Sequence, residues 1–242
     1  MNYLILCEGK TDAILLSYYL IHMSGWRHSN SGPRNFKISE DETRGEACSW
    51  YRREGDFLLI AAVGSKDNFG QFYQNKIRSA QIDSDIFSKA AVVLDHDDAS
   101  IESLENKVRG DLPEIAYQAT NREWILHQYQ NGFDEIKTIS FLLQVIPPEN
   151  EGALESLLLE AISEDPYDKV IVDASKNFVD EISPQAQRYI GKRRLITKAY
   201  LGVTWAIQSP QKVFTMINDQ LTQVKWETSQ VLANCFAGLL DM

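Results

Sequence analysis

Residues Ala90 to Asp98, AAVVLDHDD, constrain the fold more than any other stretch of the chain. An apolar, β-branched run of this kind suits a strand buried on both faces, as in a parallel sheet. Its polar end then emerges at the carboxyl edge of the sheet, where open α/β folds place their ligands. There Asp95, Asp97 and Asp98 fall within four residues, with His96 among them. Carboxylates so close resist joint ionisation unless a cation lies between them, and hard divalent metals choose carboxylate oxygen. The plainer alternative is that Asp97 and Asp98 cap the following helix, SIESLENKV, whose N-terminus favours acids.

Three further runs have strand character: Tyr3 to Cys7, Asp56 to Val63 and Thr138 to Ile146, the last closed by Pro147 and Pro148. The first leads through CEGKTD, with a turn at Gly9, into the apolar helical stretch AILLSYYLIHM. Glu8 therefore stands at a strand end and Asp12 in the first turn of a helix, both facing one opening. The letters GKT are not a phosphate-binding loop, because that motif needs a glycine five positions before Gly9 and Leu4 stands there. The second run ends in GSKDNF and a helical stretch, so Gly64, Ser65 and Lys66 lie at another turn on the same edge. After the fourth comes ENEGALESLLLEAIS, with Leu154, Leu157, Leu158 and Ile162 on one helical face and Glu151 and Glu155 in its first turns.

Strands alternating with helices argue βαβ units and a parallel sheet. The reading is one α/β domain over residues 1–165 and a helical C-terminal portion, 166–242, packed on it. Residues 25–55 form a polar excursion from the core, and Leu112 to Phe133 read as helical, with Trp124, Leu126 and Tyr129 inside. The run KVIVD, at 169–173, has the propensity of a fifth strand. His22, His28 and His127 show no metal-ligand spacing.

Composition limits the function classes. With 24 basic against 34 acidic residues the net charge is −10, so the average surface repels a phosphate backbone. Nucleic acid needs a bridging metal or a local patch, and one candidate exists in Arg188, Lys192, Arg193, Arg194 and Lys198. No run is long enough to span a bilayer, and the N-terminus lacks the pattern of a signal peptide. Three separated cysteines, Cys7, Cys48 and Cys235, point to a reducing, cytoplasmic setting without disulfides or a zinc site. The apolar end LANCFAGLLDM offers a surface for a homodimer or, equally, for the chain's own core.

Glu8 and Asp12 after the first strand, Asp95 and Asp97 after the third, and Glu155 after the fourth share one order and one edge. In these motifs the chain resembles the Toprim family: EGKTD is similar to its first motif, LDHDD to its DxD motif, and GALESLL to the glycine-then-glutamate segment of its nuclease members. The resemblance covers roughly residues 1–165 and lies nearest the stand-alone Toprim proteins related to the overcoming-lysogenization-defect (OLD) nucleases. It implies a Toprim-like parallel-sheet βα fold in which Glu8, Asp12, Asp95, Asp97 and Glu155 bind Mg²⁺ or Mn²⁺, as two ions, and cut nucleic acid, DNA before RNA. It also implies a catalytic lysine beyond the acids, for which Lys198 is the candidate. The chemistry agrees with the acids themselves: two divalent ions about 3.5–4 Å apart can clamp the attacking and leaving oxygens of a phosphodiester.

The chain carries no ATPase domain, so nucleotide-driven control would come from a separate ATPase or regulatory protein, in a setting such as phage defence. Two alternatives remain. A receiver-like domain also gathers acids at its first and third strands and would be phosphorylated on Asp95. A Toprim-like binding or regulatory subunit would keep the acids without catalysis. The haloacid-dehalogenase pattern fails, since its DxD nucleophile should follow the first strand.

Overall fold

The computed structural model describes residues 1–33, 36–148, 152–212, 221 and 224–242. The described residues form a mixed α/β protein around a seven-stranded sheet. Its strands are β1 (Asn2–Cys7), β2 (Arg27–Ser29), β3 (Ala47–Arg53), β4 (Asp56–Ala62), β5 (Lys89–Asp95), β6 (Trp124–Gln130) and β7 (Ile136–Ile146), in the order β2-β3-β4-β1-β5-β7-β6. The four central strands β4, β1, β5 and β7 are parallel, and both flanks are antiparallel.

The four parallel strands are the four apolar runs, because a strand covered on both faces must be apolar at every position. Helix α1 (Lys10–Ser24) follows β1, and α2 (Phe69–Phe72) runs through a π turn (Tyr73–Ile77) into α3 (Arg78–Ser84) after β4. Helix α4 (Ile101–Asp111) follows β5. One face of the sheet, with Leu4, Leu6, Leu59, Val92 and Leu94, packs against Phe69, Phe72, Ile77, Leu104 and Val108. Each such side chain stabilises the fold by about 1.5–3 kcal/mol on full burial, which fixes the strand ends relative to one another.

The flanks depart from the sequence reading. Within the expected polar excursion, ACSWYRR forms β3 and pairs with β4 through the two-residue turn Glu54–Gly55. Both turn residues have positive φ, 49° and 96°, the geometry whose twist matches a hairpin. The expected helix over Leu112 to Phe133 is instead a turn region followed by β6. His127 and Tyr129 of β6 are buried while Leu126, Gln128 and Gln130 are exposed, a period of two. The β6–β7 turn is closed by Asn131 Oδ1, which accepts from the N–H groups of Phe133 (2.9 Å) and Glu135 (2.8 Å).

His127 is fully buried, with its ring edge-on to Tyr117 (4.7 Å between centroids) and Phe141 (6.0 Å). Neither ring nitrogen has a hydrogen-bond partner, and burial pushes its pKa below the ordinary value. The unfolded chain therefore binds more protons below about pH 6.5, and stability falls as pH drops through that point. Urea titrations of wild type should lose stability between pH 6.5 and 5 relative to His127→Phe, which lacks that slope.

The chain divides into two units, Met1–Glu151 with Phe236–Met242, and Gly152–Cys235. The division falls at Gly152, whereas the sequence reading put it at 165, because α5 (Leu154–Ile162) packs on α8 (Arg193–Gln208) of the second unit. Helix α6 (Pro166–Ile182) also packs on α8, and α7 (Gln187–Ile190) lies between them in sequence. KVIVD lies inside α6 and is not a strand. Asp165 caps that helix by accepting from Tyr167 N (2.9 Å), Pro166 occupies its first turn, and Val172, Ser175 and Val179 form its buried stripe. The chain ends in α9 (Gln230–Phe236) and a 3-10 turn, Ala237–Asp241. Leu232, Cys235, Phe236, Leu239 and Met242 are buried, so the apolar end lies within the chain's own core. No described helix is long and apolar enough to cross a membrane.

Candidate active site at the carboxyl edge of the sheet

Strand order alone brings the ends of β4, β1 and β5 side by side. In the parallel register Cys7 lies opposite both Ala62 and Val93, so the next residue of β1, Glu8, stands between the two neighbouring turns. Its carboxylate Oε1 accepts from the backbone N–H of Asp95 (3.1 Å), tying the end of β1 to the end of β5. Asp12, the third residue of α1, turns its Oδ2 back to accept from Gly9 N (2.8 Å). Its charge is thereby fixed at the positive end of the helix.

Asp95 closes β5, and the next residue continues the pairing, His96 N donating to Ile146 O (2.8 Å). The backbone then swings into the left-handed region at Asp97, with φ 46°. Asp is one of the few side chains that tolerate this geometry. Asp97 Oδ2 receives Lys66 Nζ at 2.9 Å. Lys66 comes from the turn after β4, and since β1 lies between β4 and β5, its side chain spans the end of β1. Helix α4 draws its cap from Ser100, whose Oγ accepts from Ser103 N (3.2 Å). The capping role considered for Asp97 and Asp98 therefore falls to Ser100.

The electrostatics mark Glu8 as the unusual group. Burial pushes its carboxyl up to about 7; the Asp95 N–H opposes this, the charges of Asp12 and Asp97 add to it, and Lys66 offsets part. The Asp97 carboxylate in turn raises Lys66 above the ordinary lysine value. The neighbouring Cys7 thiol is pushed well up, first by burial and then by Asp12, Glu8, Cys48 and Asp95. Glu8, Asp12, Asp95 and Asp97 thus share one field, into which Lys66 reaches from the turn after β4.

Between pH 4.5 and 7 the folded chain holds a proton on Glu8 that the unfolded chain has lost. Stability therefore falls as pH rises through that window and levels off above it. Glu8→Gln, which carries no charge to desolvate, should be more stable than wild type at pH 8 by on the order of 2 kcal/mol and equal to it near pH 4.5. Chelator-treated protein melted across that range checks this.

Glu155 lies in the first turn of α5, and its Oε1 meets Lys198 Nζ of α8 at 3.1 Å. Two residues chosen separately from the sequence are thus partners within the second unit. Glu151, the competing acid, lies outside the described residues. Of the basic patch, Arg188, Lys192, Arg194 and Lys198 are exposed at α7 and the start of α8. Lys66 was not among the selected site residues. Its signal was its place in GSKDNF, at a strand-to-helix turn on the same edge.

Among the described residues no three His, Cys, Asp or Glu side chains stand as a ready-made metal cage. The donor set still suits a hard cation, since it is carboxylate oxygen throughout. Burial first, and then the charges of Asp12 and Asp97, disfavour the ionised form of Glu8, and a divalent ion at this edge would offset both.

The profile of a family described as "Protein of unknown function (DUF3226)" matches residues 2–241. No curated protein matches the chain. Among solved structures the chain is similar to hypothetical protein PH0156 from Pyrococcus horikoshii OT3, at 17% identity over 99% of this chain and 98% of that one, with a TM-score of 0.44.

Proposed function

The chain belongs to the DUF3226 family, and we propose that its acidic sheet edge is the centre of a divalent-metal-dependent nuclease of the Toprim type, related to the OLD enzymes. One observation carries this reading: Glu8 is tied to the Asp95 backbone where β1 and β5 end, within the field of Asp12 and Asp97. Glu8, Asp12, Asp95 and Asp97 would hold Mg²⁺ or Mn²⁺, which when bound supplies a polarised phosphate and an activated water. The carboxyl of Glu8, raised to about 7 without a cation, is the one whose ionised form a bound metal would favour most. Lys66, already drawn to Asp97, offsets negative charge on an approaching phosphate. Glu155 and Lys198 belong to the proposal by their sequence motif, and the exposed Arg188, Lys192 and Arg194 by their charge.

Three free cysteines fit a reducing compartment, the cytoplasm. DNA is the proposed substrate ahead of RNA, and a separate ATPase or regulatory protein, as in phage defence, is the proposed partner. A second reading, a Toprim-like subunit without catalysis, rests on the Lys66–Asp97 pair, in which a side chain already serves as the cation.

Melting in chelator, Mg²⁺ and Mn²⁺, beside incubation with plasmid and single-stranded DNA, tests both. At a hundredfold excess over Kd, a metal bound only by the folded state adds about 2.7 kcal/mol, or about 5–10 °C for a chain of this size. The nuclease reading expects that rise together with cleavage, and expects Glu155→Gln and Lys198→Met to cut more slowly. Melting that ignores metal, with intact DNA, overturns it in favour of the second reading.

A further inference from the structure

Beside the acidic edge the first unit has a polar cleft of about 220 Å³. One wall is the loop carrying Asp41, Arg44 and Glu46; the other is the helical segment after β4, with Asn68, Gln71 and Asn75. We propose that this cleft receives one unpaired nucleobase of the strand being cut, with adenine the best match, so that the substrate is single-stranded or frayed nucleic acid. The inference rests on the nuclease reading above and names the substrate of that same site.

Size comes first. The cleft is smaller than the roughly 300 Å³ at which sites for drug-sized ligands begin, which leaves room for a single ring system.

Charge excludes the phosphate as the cleft's occupant. Arg44 lies 3.4 Å from Asp41, and Lys76 lies 2.6 Å from the buried Glu46. Two cations therefore answer two carboxylates, and a phosphate entering here would meet both acids. A neutral polar group meets no such penalty.

The amides set the class of that group. Asn68, Gln71 and Asn75 follow one another at helical spacing, and the π turn over Tyr73–Ile77 widens the segment that carries Asn75. Such wide turns recur at functional sites. Gln71 and Asn75 are exposed, while Asn68 donates its amide N–H to Val63 O (3.1 Å). A primary amide presents a donor and an acceptor side by side, the pattern that Asn and Gln use to hold adenine through N6 and N7.

Position joins the cleft to the chemistry. Asn68 lies two residues beyond Lys66, which holds Asp97. Gly64 of the same turn lies against the backbone of Arg44 and Gly45 in the opposite wall. A phosphate at the acids would carry its neighbouring base toward this cleft, and a base enters a pocket only once it is out of the stack.

The test uses the full chain with fluorescein-labelled oligodeoxyadenylate, oligothymidylate and a mixed-sequence duplex, reading binding by anisotropy in chelator and cleavage in Mn²⁺. Wild type should bind oligodeoxyadenylate at least about fivefold more tightly than the other two, the lower end of what one amide–adenine pair discriminates. Gln71→Ala/Asn75→Ala, at two exposed positions, should lose that preference, and Gln71→Asn should keep part of it. If the double variant keeps wild-type affinities and preference, the cleft does not read a base, even where cleavage persists. If the preference is present and sensitive to the double variant but no substrate is cut, the cleft assignment holds and the nuclease reading fails.

Discussion

Asp95→Asn is expected to leave the fold intact and to lower metal-dependent cleavage about a thousandfold, the scale on which one preorganised electrostatic group acts. The substitution keeps the side-chain shape, and the contact that organises the edge is made by the Asp95 backbone N–H to Glu8, which survives it. What disappears is one anionic oxygen ligand at the end of β5. The metal-induced rise in melting temperature should shrink with the activity, since both depend on the same donor. Asp97→Asn should behave alike in cleavage, because Asn tolerates the left-handed backbone at that position, but it also releases Lys66 from its partner. Asp98→Asn is the control, with activity within about threefold of wild type, an effect below 1 kcal/mol. Full cleavage by Asp95→Asn would remove the acidic edge from the chemistry.

Which parts of this arrangement could be read beforehand follows from how local each cause is. The central strands were legible because double-sided burial leaves an uninterrupted apolar run, as in LILC and AAVVL. The acids at their ends were legible for the same reason, since a strand end and its first turn are neighbours in sequence. Strand β6 was misread because the period over Leu112 to Phe133 looks closer to helical than to alternating, with Trp124, Leu126 and Tyr129 as its core. Its actual alternation sets His127 and Tyr129 inward, and only pairing with β7 selects that period. Strand β3 was hidden in a charged stretch, and its clue was the Glu54–Gly55 turn. Lys66 could not be placed from GSK alone, because its reach to Asp97 depends on β4, β1 and β5 being adjacent. The Glu155–Lys198 pair joins residues far apart in sequence, and it exists because α5 packs on α8.

Gly64→Ala should destabilise the protein by about 3–5 kcal/mol, a loss of about 6–20 °C in melting temperature. Two independent costs meet at this residue. Its φ is +88°, where an L side chain is strained by about 1–2 kcal/mol. An added Cβ would also fall 1.9 Å from the carbonyl oxygen of Arg44, an atom of backbone that cannot step aside alone. Gly55 separates the two costs. It shares the conformation, at φ +96°, but has open space around the added carbon, so Gly55→Ala should lose only the strain, and cleavage should be unchanged. At Gly64 the 41–46 loop or the β4 turn must move. Since Lys66 is two residues away, its contact with Asp97 and the charge balance at Glu8 move too. Cleavage by the surviving folded fraction should therefore fall with stability in Gly64→Ala and not in Gly55→Ala. Urea unfolding of both variants, with activity measured where each remains folded, makes the comparison, and equal destabilisation would mean that the loop does not lie against the turn.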